Sequence, residues 1–108
     1  MKKKSAADAA EVFGFETEKE EGILYYDNEN IMNCSALLIV KLKDESDAAA
    51  FKACVTDYVD NQKNLFKNYA PEQYTLLNGS VIEVSGNVLF YCTAPNAEEV
   101  YAAFKKAL

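Results

Sequence analysis

Histidine, arginine and tryptophan are all absent from this sequence of 108 residues, and each absence excludes a class of site. Without an imidazole the chain cannot form a Ser-His-Asp triad, a Cys-His dyad or an HExxH zinc site. Without a guanidinium it lacks the planar fork that binds phosphate or guanine through two hydrogen bonds. The 11 lysines are outnumbered by 17 acidic residues, which gives a net charge of −6. Because such a chain repels the phosphate backbone, we expect no nucleic acid among its partners.

Glycine and cysteine are both sparse and widely spaced. The glycines lie too far apart to form a loop that cradles phosphate, so no nucleotide cofactor is expected. Zinc ligands come in pairs a few residues apart, and Cys34, Cys54 and Cys92 do not. We interpret the three cysteines as small apolar residues on buried faces. One disulfide with a spare thiol, or a nucleophilic cysteine, are the alternatives, although no His or Arg is present to stabilise a thiolate.

Neither a targeting segment nor a membrane span is apparent. Residues 1–4 resemble the basic start of a signal peptide, but the polar stretch at 5–8 follows where a long apolar run is required. The longest apolar run, 36–40, has the length of a buried strand and falls far short of the roughly 18 residues that span a bilayer. We therefore expect a soluble chain from which a targeting segment has been trimmed.

The patterning predicts helices and strands of one α+β domain. Ser5 and Asp8 favour a helix over 5–13 that ends at Gly14, and the acidic stretch 16–30 is interpreted as a solvated connection with a short strand at 23–26. The stretch 27–30 lacks the central glycine and closing glutamate of a calcium loop, so no metal is expected there. The remaining predictions are a strand at 34–43, a helix at 46–69, a helical turn from Pro71, a hairpin of 80–85 and 88–93 around Gly86-Asn87, and a last helix from Asn96.

The predicted fold class is α+β, with a single mainly antiparallel four-stranded sheet, a long crossover helix and terminal helices, in the order α-β-β-α-β-β-α. We expect residues 1–15 to form a short N-terminal helix that can be a remnant of cloning, and residues 16–108 to form the single α+β domain. The central strands are apolar on both faces. If the helices do not cover both faces, the leftover face is available to a partner protein or a second copy of the chain.

Five residues are candidates for a contact surface. Tyr25 and Tyr26 are adjacent, so one of them must face away from the core, and Tyr74 follows the long helix. Phe90 lies on the second face of the hairpin. Glu83 stands alone among the apolar residues of that same face. Either its side chain reaches water at a sheet edge, or it is buried and its pKa is raised by desolvation.

The second half of the chain resembles a bacterial family, the domain of unknown function number 4358. The resemblance rests on the spacing Gln62-x-x-x-Phe66-x-x-Tyr69-x-Pro71-Glu72-Gln73-Tyr74-x-x-Leu77, followed by Val81 and Gly86-Asn87, and on the apolar strand at 36–40; it covers about residues 34–108. It implies a small extracytoplasmic domain of Gram-positive bacteria, held at the membrane by a lipid-modified cysteine after a signal peptide. The sequence shows neither the signal peptide nor the cysteine that would carry the lipid. The resemblance therefore implies membrane contact only through a lipid anchor missing from this chain.

Two functions are compatible with these observations. We expect a non-enzymatic cell-envelope domain, a protein–protein interaction module of a membrane-anchored lipoprotein, which uses an uncovered sheet face or an open strand edge. The alternative is an extracytoplasmic small-ligand or peptide-binding domain, which requires a concave apolar pocket. An enzyme is not expected, because no nucleophile–base pair is visible, and no cofactor or catalytic residue is predicted.

Overall fold

One antiparallel sheet organises the computed structural model, which describes residues 2–27, 33–68 and 70–107. The described residues form five strands: β1 (Lys2–Lys4), β2 (Glu20–Asp27), β3 (Ala36–Leu42), β4 (Val81–Ser85) and β5 (Val88–Thr93). They also form four α-helices: α1 (Ala6–Phe13), α2 (Ala48–Phe66), α3 (Pro71–Asn78) and α4 (Ala97–Ala107). The strand order is β1-β2-β3-β5-β4, and every neighbouring pair is antiparallel.

Helix α1 begins and ends where the sequence predicts. The Ser5 hydroxyl accepts a hydrogen bond from the Asp8 amide at 3.1 Å, and the Asp8 carboxylate accepts one from the Ser5 amide at 3.1 Å. This reciprocal capping box satisfies two amides that the first turn leaves without partners. Gly14 ends the helix with φ of 79°, a left-handed conformation that glycine adopts at no steric cost.

The long helix is confirmed but is shorter than the predicted range 46–69. A 3₁₀ turn at Glu45–Asp47 precedes α2, and the Asp44 carboxylate caps that turn by accepting from the Ser46 amide at 2.9 Å. Proline at the start of α3 fits the first helical turn, where its missing N–H has no partner to lose. Residue 69 lies outside the described part of the chain.

The predicted hairpin around Gly86-Asn87 is also confirmed. Gly86 has φ of 59°, as a two-residue hairpin loop requires. The Asn87 side-chain amide donates to the Leu42 carbonyl at 2.8 Å, and the Leu42 amide donates to the Asn87 carbonyl at 2.8 Å. These two bonds fasten the hairpin loop to the end of β3.

The sheet is apolar on both faces, and each face is covered differently. The first face carries Tyr25, Leu38, Val40, Leu89 and Tyr91, which are buried beneath residues of α1, α2 and α3. The second face carries Phe90 and Cys92, which are buried beneath α4. Because helices cover both sides of the sheet, its central strands carry apolar side chains on both faces.

The predicted sheet of four strands is wrong, and so is the predicted element order. Three successive lysines gave no strand signal, yet β1 pairs with β2 and adds a fifth strand at the sheet edge. Ala9 and Phe13 of α1 are buried in the main core together with residues of the sheet and of α2. The acidic stretch is likewise more ordered than expected, because residues 20–27 form the full length of β2. The predicted turn at 27–30 falls mostly outside the described residues.

Candidate functional site

The structure separates the five candidate contact residues into buried and accessible ones. Tyr25 and Phe90 are each only 1% exposed, so the expectation that they contribute to an exposed surface is wrong. Tyr26 is half-buried on the second face of β2, and Tyr74 is half-buried where it packs against the main core. Glu83 is exposed on the edge strand β4. The five residues do not form one continuous surface.

Tyr25 is buried because α1 covers the first face at this point. The Phe13 ring meets the Tyr25 ring edge-on, with centroids 5.4 Å apart and planes at 70°. The Tyr25 hydroxyl donates a hydrogen bond to the Asp27 carboxylate. Burial, and then that bond, raise the pKa of Tyr25 above its usual value. The hydroxyl is therefore neutral at physiological pH and serves as a hydrogen-bond donor within the fold.

Phe90 is buried because α4 lies across β5. Its ring stacks on Phe104 at a centroid distance of 4.9 Å and is tilted against Tyr101 at 5.2 Å. Lys105 places its ammonium 5.0 Å from the centre of the Tyr101 ring, a cation–π contact on the outer side of this cluster. Helix α4 thus covers the second face of the hairpin, for which the sequence alone did not show what covers it.

An apolar area of the second face lies beside α4. It consists of Leu24 and Tyr26 of β2 together with Leu37 and Ile39 of β3, and we call it the β2–β3 surface. Tyr26 pairs with Leu37, and Leu24 with Ile39, so the four side chains form two adjacent rows. All four are only half-buried. Within the described residues, neither core cluster includes Leu24 or Tyr26, because α4 packs mainly on β5 and β4.

Lysines flank this surface along β2. Strand alternation puts Lys3, which pairs with Tyr26, and Lys41, which pairs with Gly22, on the same face as the β2–β3 surface. Both lysines are exposed. Lys41 lies 3.9 Å from the Glu21 carboxylate, and both side chains are more than half exposed at 60% and 52%. The surface is thus an apolar strip with a cation near each end.

A chain of hydroxyls links the end of β5 to the residue before β4. Thr93, which is fully buried, exchanges hydrogen bonds with the Tyr91 hydroxyl at 2.6 Å and with the Ser80 hydroxyl at 2.7 Å. Burial raises the pKa of Tyr91 above its usual value and raises that of nearby Tyr58 to about 12. These phenols stay protonated at neutral pH, so none of them is poised to act as a base.

The three cysteines are free thiols, and two of them are buried as predicted. The Cys34 amide donates to the Gln73 side chain at 2.8 Å, and its thiol lies 3.5 Å from the Gln73 carbonyl, which attaches the start of β3 to α3. Burial raises the pKa of the Cys34 and Cys92 thiols, which lowers the fraction of nucleophilic thiolate. Cys54 is partly exposed. The disulfide alternative is not supported.

A small surface cavity of about 90 Å³ lies between the α1–β2 connection and α2. Its lining comprises Gly14, Phe15, Glu16, Lys19, Ala50, Phe51 and Cys54. The Lys19 ammonium is engaged by Glu16 at 3.1 Å and by Asp47 at 3.6 Å. The volume is well below the roughly 300 Å³ at which ligand pockets begin, and the one cation on its wall already binds two carboxylates.

The described part of the chain contains neither a cluster of metal ligands nor a helix that could span a membrane. Across residues 2–27, 33–68 and 70–107, Cys, Asp and Glu form no group of three or more that could hold a metal ion. In these same ranges, no helix has both the length and the apolar character needed to cross a membrane. The β2–β3 surface is therefore the feature of the described residues that most resembles a binding site.

Comparison with known sequences and structures identifies one family. A family model described as "Domain of unknown function (DUF4358)" matches residues 1–94. The match confirms the resemblance found in the second half of the chain and extends it to β1, α1 and β2. Searches of curated proteins and of solved structures gave no significant match.

Proposed function

The chain belongs to the DUF4358 family, a domain of unknown function, and we propose that it is a non-enzymatic domain that binds another protein through the β2–β3 surface. The observation that carries the proposal is the half-buried state of Leu24 and Tyr26 outside both core clusters. A strand that is buried on one face and apolar on the other is expected where a further layer packs. Within residues 2–27, 33–68 and 70–107, the helices leave that layer incomplete over β2.

The chemistry of the buried polar groups supports a non-enzymatic role. Catalysis needs a nucleophile beside a base, or acids whose pKa values are separated by their surroundings. The Ser80, Tyr91 and Thr93 hydroxyls and the Cys34 thiol bond to partners within the fold. These groups therefore stabilise the structure, since each of them has a hydrogen-bond partner close by.

We further propose that the domain works at the cell envelope, outside the cytoplasm and attached through a lipid anchor. This part of the proposal rests on the resemblance to the family. The small-ligand or peptide alternative has less support, because the cavity beside Lys19 is too small for a typical ligand and its one cation is already engaged.

A photo-crosslinking experiment in cells tests the proposal. The photoreactive amino acid benzoyl-phenylalanine replaces Tyr26 in the full-length protein, and in a matched control it replaces the exposed residue Asp57 of α2. We expect one defined protein adduct from position 26 and none of the same mass from position 57. Additional substitution of Leu24 by serine should remove the adduct, because it takes away part of the apolar contact. An adduct common to both positions, or none at position 26, would contradict the proposal.

A further inference from the structure

The charges of the described strands around the β2–β3 surface are more positive than the chain as a whole. The chain carries −6, whereas strand alternation places Lys3 and Lys41 on this face of β1 and β3, and Glu21, at the irregularity of β2, lies 3.9 Å from Lys41. These lysines pair with positions 26 and 22 of β2. At about 3.3 Å per residue, their attachment points are roughly 13 Å apart along the strand. Tyr26 lies beside Lys3, and Leu24 lies midway between the two positions of β2.

Both cations are accessible to a partner. Lys3 is exposed at the sheet edge, and the Lys41 side chain is 60% exposed. The Lys41–Glu21 contact at 3.9 Å is between two exposed side chains, and such pairs contribute little and exchange readily with solvent. Gly22 adds to the access, because a Cβ at that position would meet nothing within 4 Å. Space is therefore open beside Lys41 for a side chain from outside.

The local charge argues against a second copy of this chain as the occupant. If two copies packed these faces together, one apolar contact would gather four lysines, Lys3 and Lys41 of each copy, against two Glu21 carboxylates. Like charges placed together at an interface cost affinity and discriminate against that pairing. A partner with carboxylates in the corresponding positions would gain charge-assisted contacts instead.

We infer that the β2–β3 surface binds a protein segment with apolar residues at its centre and acidic residues on both sides, spaced to meet Lys3 and Lys41. This inference rests on the proposed function and specifies its partner. The apolar centre covers Leu24, Tyr26, Leu37 and Ile39, and the carboxylates select the partner and its orientation. An anionic membrane is the competing occupant, but lipid recognition commonly uses clusters of four to eight cations, and this face has two.

A peptide selection on the purified chain measures the inference directly. A random peptide library is displayed and selected on the wild-type protein, with counter-selection on Tyr26→Ser. We expect the selected peptides to contain aromatic or aliphatic residues flanked by Asp or Glu. A preference for acidic peptides is the opposite of what the net charge alone predicts, because an acidic protein attracts basic peptides when the contact is unspecific.

Two charge-reversal variants of equal net charge serve as a matched pair. Lys3→Glu with Lys41→Glu removes both cations of the surface, while Lys52→Glu with Lys67→Glu removes two exposed lysines of α2 and the turn after it. The affinity of a selected peptide should fall about tenfold in the first variant, as expected for two rim contacts, and less than twofold in the second. Equal losses in both variants would overturn the inference.

The remaining outcomes separate the inference from the proposed function. Selected peptides that lack acidic residues but lose binding in Leu24→Ser overturn the charge inference and leave the binding surface in place. A selection that yields no peptide able to bind the wild type in preference to Tyr26→Ser counts against the proposed function itself. Sedimentation of the wild type with phosphatidylglycerol vesicles, abolished by Lys3→Glu with Lys41→Glu, would assign the surface to a membrane and overturn the inference.

Discussion

Tyr25 and Tyr26 are consecutive residues of β2 that face opposite sides of the sheet. Tyr25 pairs with Leu38 and is sealed beneath α1, while Tyr26 pairs with Leu37 on the β2–β3 surface and is only half-buried. One residue type therefore has two roles that differ by a single step along the strand. Substituting each tyrosine in turn measures how much a buried and a half-buried ring contribute to the free energy of unfolding at this point.

Tyr25→Ala should lower the free energy of unfolding by about 3–5 kcal/mol, because it removes a large buried ring and leaves a cavity against Phe13. Tyr26→Ser should lower it by only about 1 kcal/mol or less, since its ring is partly in water. Urea denaturation followed by circular dichroism gives both values. A larger loss for Tyr26→Ser than for Tyr25→Ala would show that the two faces have been assigned the wrong way round.

Phe90→Asp should prevent stable folding, with a loss above about 4 kcal/mol. The substitution places a carboxylate between β5 and α4, where the Phe90 ring stacks on Phe104. The cross-strand partner Glu83 provides the control, because Glu83→Gln changes an exposed side chain of the same row and should alter stability by less than about 0.5 kcal/mol. Near-wild-type urea midpoints for both variants would mean that α4 does not cover Phe90 in solution.

Glu20→Gln should stabilise the protein at neutral pH and have little effect in acid. The Oε2 atom of Glu20 is shielded from solvent without a hydrogen-bond partner among the described residues, and burial raises the pKa of this carboxyl. A raised pKa in the folded state means that stability is highest below the pKa of the unfolded chain and is lost as the pH rises through the folded value. The glutamine variant avoids this loss because it never ionises.

Thermal melts at pH 7 and at about pH 4 test this prediction. The melting temperature of Glu20→Gln should exceed that of the wild type at pH 7, and the difference should shrink at the lower pH. Glu21→Gln, at the exposed neighbouring position, removes the same charge and serves as the control. An equal rise in both variants would indicate a general effect of net charge and would contradict the role of burial at Glu20.

Thiol labelling of the native protein should modify Cys54 first. Cys54 is partly exposed, whereas Cys34 and Cys92 are buried and their thiol pKa values are raised by burial. An aromatic disulfide reagent followed by mass spectrometry should find a single fast-reacting thiol, and Cys54→Ser should abolish the fast phase. Rapid labelling of Cys92 in the native state would instead show that α4 detaches from β5 on the timescale of the reaction.

Local signals in the sequence were sufficient for the elements that carry their own caps and turns. Ser5 and Asp8 form the predicted capping box, and Gly86 closes the predicted hairpin with a positive φ. These positions are determined by interactions between residues close in sequence, which is why they can be read without knowing the fold.

Elements stabilised by distant residues could not be predicted in the same way. β1 is a strand because β2 offers it an unpaired edge. Three successive lysines have no intrinsic preference for the strand conformation from which this could be predicted. Adjacency in a strand shows that Tyr25 and Tyr26 point to opposite faces, but it does not show which of them is buried. That depends on which face α1 covers. For the candidate site, Tyr26 was found but Leu24, Leu37 and Ile39 were missed, although their alternation with the core residues of β2 and β3 was visible.

The strand order has a consequence for the time course of synthesis. β5 is the last strand to be made, yet it lies between β3 and β4 in the sheet. β3 therefore leaves the ribosome with one edge unpaired, and that edge waits for a strand roughly 50 residues further along, at the entropic cost of closing a long loop. Until then the newly made β1, β2 and β3 present an unpaired strand edge and uncovered apolar side chains to other chains. Vectorial synthesis thus creates a period in which this part of the chain is open to aggregation.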